Sequence, residues 1–204
     1  MTPGKFTEDQ LVEQPAISLF ADLGWTTVNA MHESLGPDGT LGRTTQQEVV
    51  LGRHLNTALT TLNPDLPSSA IAEAVEFLSK DRSAMDPVRA NRELYQLIRD
   101  GVPVKVRADD GSESPERIRV IDWETPENNE FLLVSQLWVK SDLYSRRADL
   151  VGFVNGLPLV FMELKASHKN LRHAYDDNLT DYRSTIPRIF EALLTYPWVD
   201  HAAV

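Results

Sequence analysis

A chain of 204 residues without cysteine is long enough for a real core, and it excludes disulfides, thiol catalysis and zinc–thiolate sites. Its 30 acidic against 20 basic residues leave a net charge of −10, which argues against a general nucleic-acid binder. No apolar run approaches a membrane span, and the polar, acidic segment Met1–Glu13 does not read as a signal peptide, so a cytoplasmic home is compatible.

The first hundred residues read as mainly helical. Thr7 and Gln10 resemble a capping box ahead of Leu11, Ile17, Phe20 and Leu23, and Pro15 is placed to divide that helix. Glycine, proline and aspartate within Leu35–Gly42 mark a loop. Thr44–Leu62 carries the clearest helical repeat, through Val50, Leu51, His54, Leu55, Ala58, Leu59 and Leu62. The Asn63-Pro64 step stops it. Ser68 or Ser69 is expected to cap a helix running to Leu78, and Pro87–Arg99 a further one ending near Gly101.

Beyond Gly101 the period changes. Val102–Arg107 and Ile118–Asp122 read as strands, Thr125–Glu130 as a polar loop, and Phe131–Val139 as a third strand. Leu150–Val154 and Leu157–Met162 are apolar almost throughout, as expected of central strands covered on both faces. Helix returns over about Asn170–Tyr182 and again over Pro187–Thr195, and Val199–Val204 reads as the start of a strand, an ending expected of a fragment. The expected fold class is α/β (α+β): a mixed central sheet of about five strands with flanking helices. One domain, residues 1–204, is expected, with the helical region 1–100 packed on the sheet and core of 101–204.

The two central strands meet at Asn155-Gly156 and carry Asp149, Glu163 and Lys165 at their outer ends. Carboxylates are hard oxygen ligands suited to Mg2+. Two of them beside an ammonium make a compact kit for metal-assisted phosphodiester hydrolysis. A structural ion pair is the plain alternative for a Glu-x-Lys alone. The geometry sets a condition. A two-residue turn with regular strands places Asp149 opposite Met162 and turns Glu163 to the other face. Convergence therefore requires an irregularity: an odd loop, such as three residues with Gly156 left-handed, or a bulge or bend.

Residues 140–173 are locally basic within the acidic chain, and Arg146, Arg147, Lys169 and Arg172 are candidates for DNA-backbone contacts. Asn178 and Tyr182 are one helical turn apart and can both face the sheet end. Glu48 is a further ligand candidate, against its ordinary reading as an acidic residue in a first helical turn. The histidines lack metal-ligand spacing. Neither a nucleotide-binding P-loop nor a Gly-x-Ser-x-Gly elbow occurs.

Several of these stretches together resemble one family. They are Val120–Phe131 with its Asp122-Trp123-Glu124-Thr125-Pro126-Glu127-Asn128-Asn129 run, Arg146–Val151, and above all Phe153–Val160 through Met162-Glu163-Leu164-Lys165. The chain resembles the N-terminal nuclease region of the R (restriction and translocation) subunit of type I restriction–modification enzymes, of the PD-(D/E)xK superfamily. The resemblance implies a restriction-endonuclease-like core, with Asp149, Glu163 and Lys165 catalytic, Asp149 and Glu163 holding Mg2+, and Tyr182 auxiliary. Asn178 stands where the family carries glutamine, and Ala148 where proline is usual. Implied partners are double-stranded DNA and, in the parent complex, the modification and specificity subunits. ATP use is implied only for the parent protein's motor. The competing expectations are a docking or DNA-binding module without catalysis, and a stand-alone repair nuclease.

Overall fold

The computed structural model describes residues 12–107, 111–164 and 180–191. The elements are α1 (Gln14–Asp22), β1 (Thr26–Asn29), α2 (Gly52–Leu62), α3 (Ser68–Ser79), α4 (Pro87–Asp100), β2 (Val102–Arg107), β3 (Glu113–Ile118), β4 (Phe131–Lys140), β5 (Ser145–Val154), β6 (Leu157–Met162), α5 (Thr180–Thr185) and α6 (Arg188–Glu191). The main sheet has the order β1-β4-β5-β6, and β2-β3 form a separate two-stranded sheet. Because β1 runs parallel to β4 while β4–β5 and β5–β6 are antiparallel, the main sheet is mixed.

The expected five-strand sheet is therefore replaced, among the described residues, by four strands plus a hairpin. Strand β1 escapes sequence reading because Thr-Thr-Val-Asn shows no apolar alternation; only pairing with Leu132–Ser135 makes it a strand. Strand β3 starts earlier than expected, held in register from Arg107↔Glu113 to Val102↔Ile118. Past it, Asn63 accepts from the amide of Arg119 at 2.8 Å and donates to its carbonyl at 2.9 Å. A side chain thus takes the place of a neighbouring strand.

Helix α2 begins at Gly52, eight residues later than its apolar repeat suggests. Residues 44–51 form turns because the Glu48 carboxylate accepts from the amides of Thr44 and Thr45, at 3.2 and 3.1 Å. Such local bonding competes with helix. Pro15 lies in the first turn of α1, so it starts that helix and does not divide it. Pro67, and neither serine, occupies the N-cap of α3. Helix α4 follows expectation: Asp86 accepts from the Arg89 amide at 3.0 Å, and Gly101 ends the helix at φ 83°.

Two apolar cores cover the sheet. One gathers α2, α3 and α4 with Val102, Ile118, Leu157 and Leu159. The other gathers Leu41, Val49 and Leu51 with alternate residues of β4 and β5 and with Tyr182, Ile186 and Ile189. Arg43 is wholly buried in this second region, where it pairs with Glu33 and donates to the carbonyls of Glu48 and Trp138 at 2.9 and 3.0 Å. With partners on all sides its charge is tolerated.

The β5–β6 turn is a two-residue one, with Asn155 at φ 51° and Gly156 at φ 80°, as in a type I′ hairpin. Gly156 lies so close to the start of α2 that a Cβ there would sit 2.7 Å from the Leu51 carbonyl oxygen. Its own carbonyl accepts from the Leu51 amide at 2.8 Å. Asn155, fully buried, donates to the Val120 carbonyl and to Asn129 Oδ1 and accepts from the Glu130 amide, each at 2.8 Å. Asn129 in turn binds the backbone of Asp122 and Pro126. Thr125–Glu130, expected as a polar loop, thus forms with Asp122 an ordered clasp with a 3-10 turn at Pro126–Asn128. It grips the turn of the hairpin, about 17 Å along β5 from Asp149.

Candidate active site at the open end of the hairpin

The expected three-residue loop is absent, yet the irregularity is there. Strands β5 and β6 pair as Val154↔Leu157 and Phe153↔Pro158, and then as Gly152↔Val160, Val151↔Phe161 and Leu150↔Met162. Leu159 is the extra residue of a β-bulge, buried in the helical core. The slip shifts every later pair by one residue. Met162 therefore faces Leu150 and not Asp149, and continuing the register puts Asp149 level with Glu163 on one face.

The local bonds agree. Asp149 Oδ2 accepts from the Leu164 amide at 2.8 Å. Tyr182, presented by α5 and nearly buried, donates its hydroxyl to the Arg147 carbonyl at 3.1 Å. Burial first, then the negative charges of Glu163 and Asp149, push the Tyr182 phenol far above its usual range. The phenol therefore stays protonated, serving as a donor. Its ring meets Phe161 edge-on at 5.5 Å.

These groups line one open cleft of about 830 Å³, shared with Glu13, Asn29, His32, Gln136 and Arg147. Gln136 and Glu13 were not among the candidates read from the sequence. Gln136 is buried at φ 57° and lies between the pairs Ser135↔Leu150 and Leu137↔Ala148, opposite Asp149. Its amide donates to Glu13 Oε2 at 2.7 Å and so ties the start of α1 to the sheet. A left-handed glutamine in mid-strand is a strained conformation. At this level both strands change parity: the second core takes Leu132 and Val134 on one side of Gln136, Leu137 and Val139 on the other, with Val151 and Ala148 matching on β5. The only sequence signal was a polar residue inside the apolar run Phe131–Val139.

Arg147 is exposed; its guanidinium lies over Trp138 at 5.7 Å and donates to Met31 Sδ at 3.5 Å. Arg146 is bound to both carboxylate oxygens of Asp181, at 2.6 and 3.0 Å, and so is less available to a phosphate than expected. Glu48 is not among the residues lining the cleft; its carboxylate accepts backbone amides in the turn before α2. Lys165, Lys169, Arg172 and Asn178 lie outside the described residues.

Among the described residues, no three His, Cys, Asp or Glu side chains gather closely enough to hold a metal ion by themselves. Two carboxylates lining one open, polar cleft do suit Mg2+, which keeps several waters and takes one or two carboxylates. No helix among the described residues is long and apolar enough to cross a membrane.

Comparison with known proteins gives a consistent picture. The family described as type I restriction enzyme R protein N terminus matches residues 5–197. The chain is 36% identical over 159 residues to the type I restriction enzyme HindI endonuclease subunit of Haemophilus influenzae, covering 76% of this chain and 14% of that protein. It is 25% identical over 192 residues to the putative type I restriction enzyme MjaIXP endonuclease subunit of Methanocaldococcus jannaschii, covering 92% of this chain and 18% of that protein.

Proposed function

The chain belongs to the family of type I restriction enzyme R protein N termini, and from that premise we propose that it is a Mg2+-dependent endonuclease unit that hydrolyses DNA phosphodiester bonds. The observation that carries this function is the Leu159 bulge, which brings Asp149 level with Glu163 in one polar cleft. Regular strands would have parted the two carboxylates.

In the proposed reaction Asp149 and Glu163 would hold the ion, with the Leu164 carbonyl as a further oxygen, and the chemistry supplied there would be Lewis-acid charge stabilisation at the phosphate. The Leu164 amide fixes one oxygen of Asp149 and so limits the directions in which its carboxylate can act. Tyr182 holds the backbone at Arg147 and sets the wall beside Glu163. Arg147, spread on Trp138, is the described cation best placed to meet a phosphate oxygen. Lys165, next in sequence to Leu164, orients the attacking water and offsets charge on the pentavalent phosphorus; this role rests on the family match.

The chain spans 14% and 18% of the two relatives' lengths. ATP-driven translocation, and assembly with modification and specificity subunits in a prokaryotic cytoplasm, are accordingly proposed for the whole protein. The test is Lys165→Ala in the full-length protein. Cleavage should be lost, while ATP-driven movement on DNA and the melting temperature persist. Retained cleavage would reject the assignment.

A further inference from the structure

Strand β6 ends at Met162, opposite Leu150, whereas β4 and β5 run on together to Lys140↔Ser145. Among the described residues the sheet past the carboxylates therefore narrows to a two-stranded arm, tipped by Ser141-Asp142-Leu143-Tyr144. The tip is ordered: the Ser141 amide donates to the Tyr144 carbonyl at 2.9 Å, and Ser141 Oγ accepts from the Tyr144 amide at 3.2 Å. The root of the tip is fixed as well, since the Lys140 amide donates to the Gln46 carbonyl at 2.9 Å and Gln47 reaches Asp142 at 3.2 Å.

What this rigid arm presents is unusual. Leu143 is 85% exposed, more than any other large apolar side chain among the described residues, and Tyr144 beside it is 47% exposed. Water is a poor environment for both. Tyr144 lies under the Arg146 guanidinium at 5.4 Å, so its ring stays turned out and flat. Lys140 and Arg147 are exposed along the same arm. Of the acids nearby among the described residues, Asp181 is paired with Arg146, whereas Asp142 at the tip accepts from the neutral Gln47 amide. The arm thus combines cations along its length with an apolar point just beyond Ser145, which lies about 13 Å by strand rise from Asp149.

We infer that the tip of the β4–β5 arm enters the minor groove of duplex DNA beside the scissile phosphate, with Leu143 as an apolar wedge and Lys140 on the flanking backbone. The inference rests on the nuclease function proposed above. Leucine is among the side chains that wedge between base steps from the minor groove, and lysine suits the flanking phosphates. Continuity with the carboxylate cleft, which Arg147 of the arm also lines, is what favours DNA over a protein partner.

The experiment uses the full-length natural protein and its Leu143→Glu, Leu143→Ser and Leu143→Trp variants, which alter a side chain with almost nothing packed on it. Nicking of supercoiled plasmid should show KM raised about tenfold, equivalent to the loss of one good DNA contact, with kcat little changed. The emission of Leu143→Trp, read as the difference from wild type, should be quenched by a plain linear duplex. Wild-type KM in the Glu and Ser variants together with an unquenched Trp variant would overturn the inference. So would a Leu143→Glu protein that binds duplex normally but no longer joins its partner subunits. A wild-type protein that never nicks even when assembled with its modification and specificity subunits and supplied with ATP and Mg2+ sinks the nuclease assignment instead, and the quench still decides whether the arm touches DNA.

Discussion

Asp149 Oδ2 accepts the backbone amide of Leu164 at 2.8 Å, so the carboxylate proposed to hold the ion also fastens the chain just past β6 to the middle of β5. Asp149→Asn keeps an oxygen for that amide and removes the charge. Cleavage by the full-length protein should fall on the order of 10²-fold or more, while the melting temperature moves by only a few degrees. Glu163→Gln should behave the same way. Plasmid nicking alongside circular-dichroism melting checks both, and full activity in either variant would contradict the proposed site.

Gln136 offers a way to separate strain from bonding. Gln136→Ala loses the amide bond to Glu13 and keeps a side chain at φ 57°; urea unfolding should report a loss of about 1–3 kcal/mol. Gln136→Gly loses the same bond but relieves the backbone, so its loss should be smaller. The reverse order would show that the left-handed conformation carries no strain.

The clasp at the other end of the hairpin should matter for stability and not for the carboxylates directly. Asn155→Ala leaves the Val120 carbonyl and Glu130 amide without their buried partner and adds strain at φ 51°. A loss of about 2–4 kcal/mol is expected. Asn155→Gly, free of the strain, should lose less. Denaturant midpoints at constant m-value measure both.

A pH effect is expected from Glu191. Burial pushes its carboxyl up from 4.5 to about 7, with the Asp81 charge adding to the shift and the Arg82 amide, Arg188 and Arg82 opposing it. A raised carboxyl in the folded state favours the protonated form. Its stabilising contribution is therefore complete below about pH 4.5 and lost as pH rises through about 7. Allowing for solvent screening of a partly buried group, the loss is about 1–2 kcal/mol. Glu191→Gln should thus raise the melting temperature at pH 8 and leave it nearly unchanged at pH 4. An equal gain at both pH values would exclude this origin.

Much of the site was legible early, though not its geometry. Asp149 and Glu163 stood out because charged residues bounding two apolar strands need a reason to be there. Their convergence could only be stated as a condition, because any of several irregularities would meet it. The one found, at Leu159, replaces the expected three-residue loop; an apolar residue in an apolar run gives no sign that it is the extra one. Glu13 and Gln136 left almost no trace, since their bond spans 123 positions. Glu48 misled because a helical repeat begins at Val50, whereas its own carboxylate holds the chain in turns until Gly52.

Local chemistry along the chain determined where α4 and the β5–β6 hairpin lie, which segments are buried, and which residue types are suited to a metal and a phosphate. These follow from periodicity, capping and turn preference, which act over a few neighbours. The tertiary structure decided the face on which each carboxylate emerges, the parallel placement of β1, the strained glutamine opposite Asp149, and the arm beyond β6. Each depends on strand register, and a register is chosen by the whole packed sheet: a slip of one residue reverses every side chain after it.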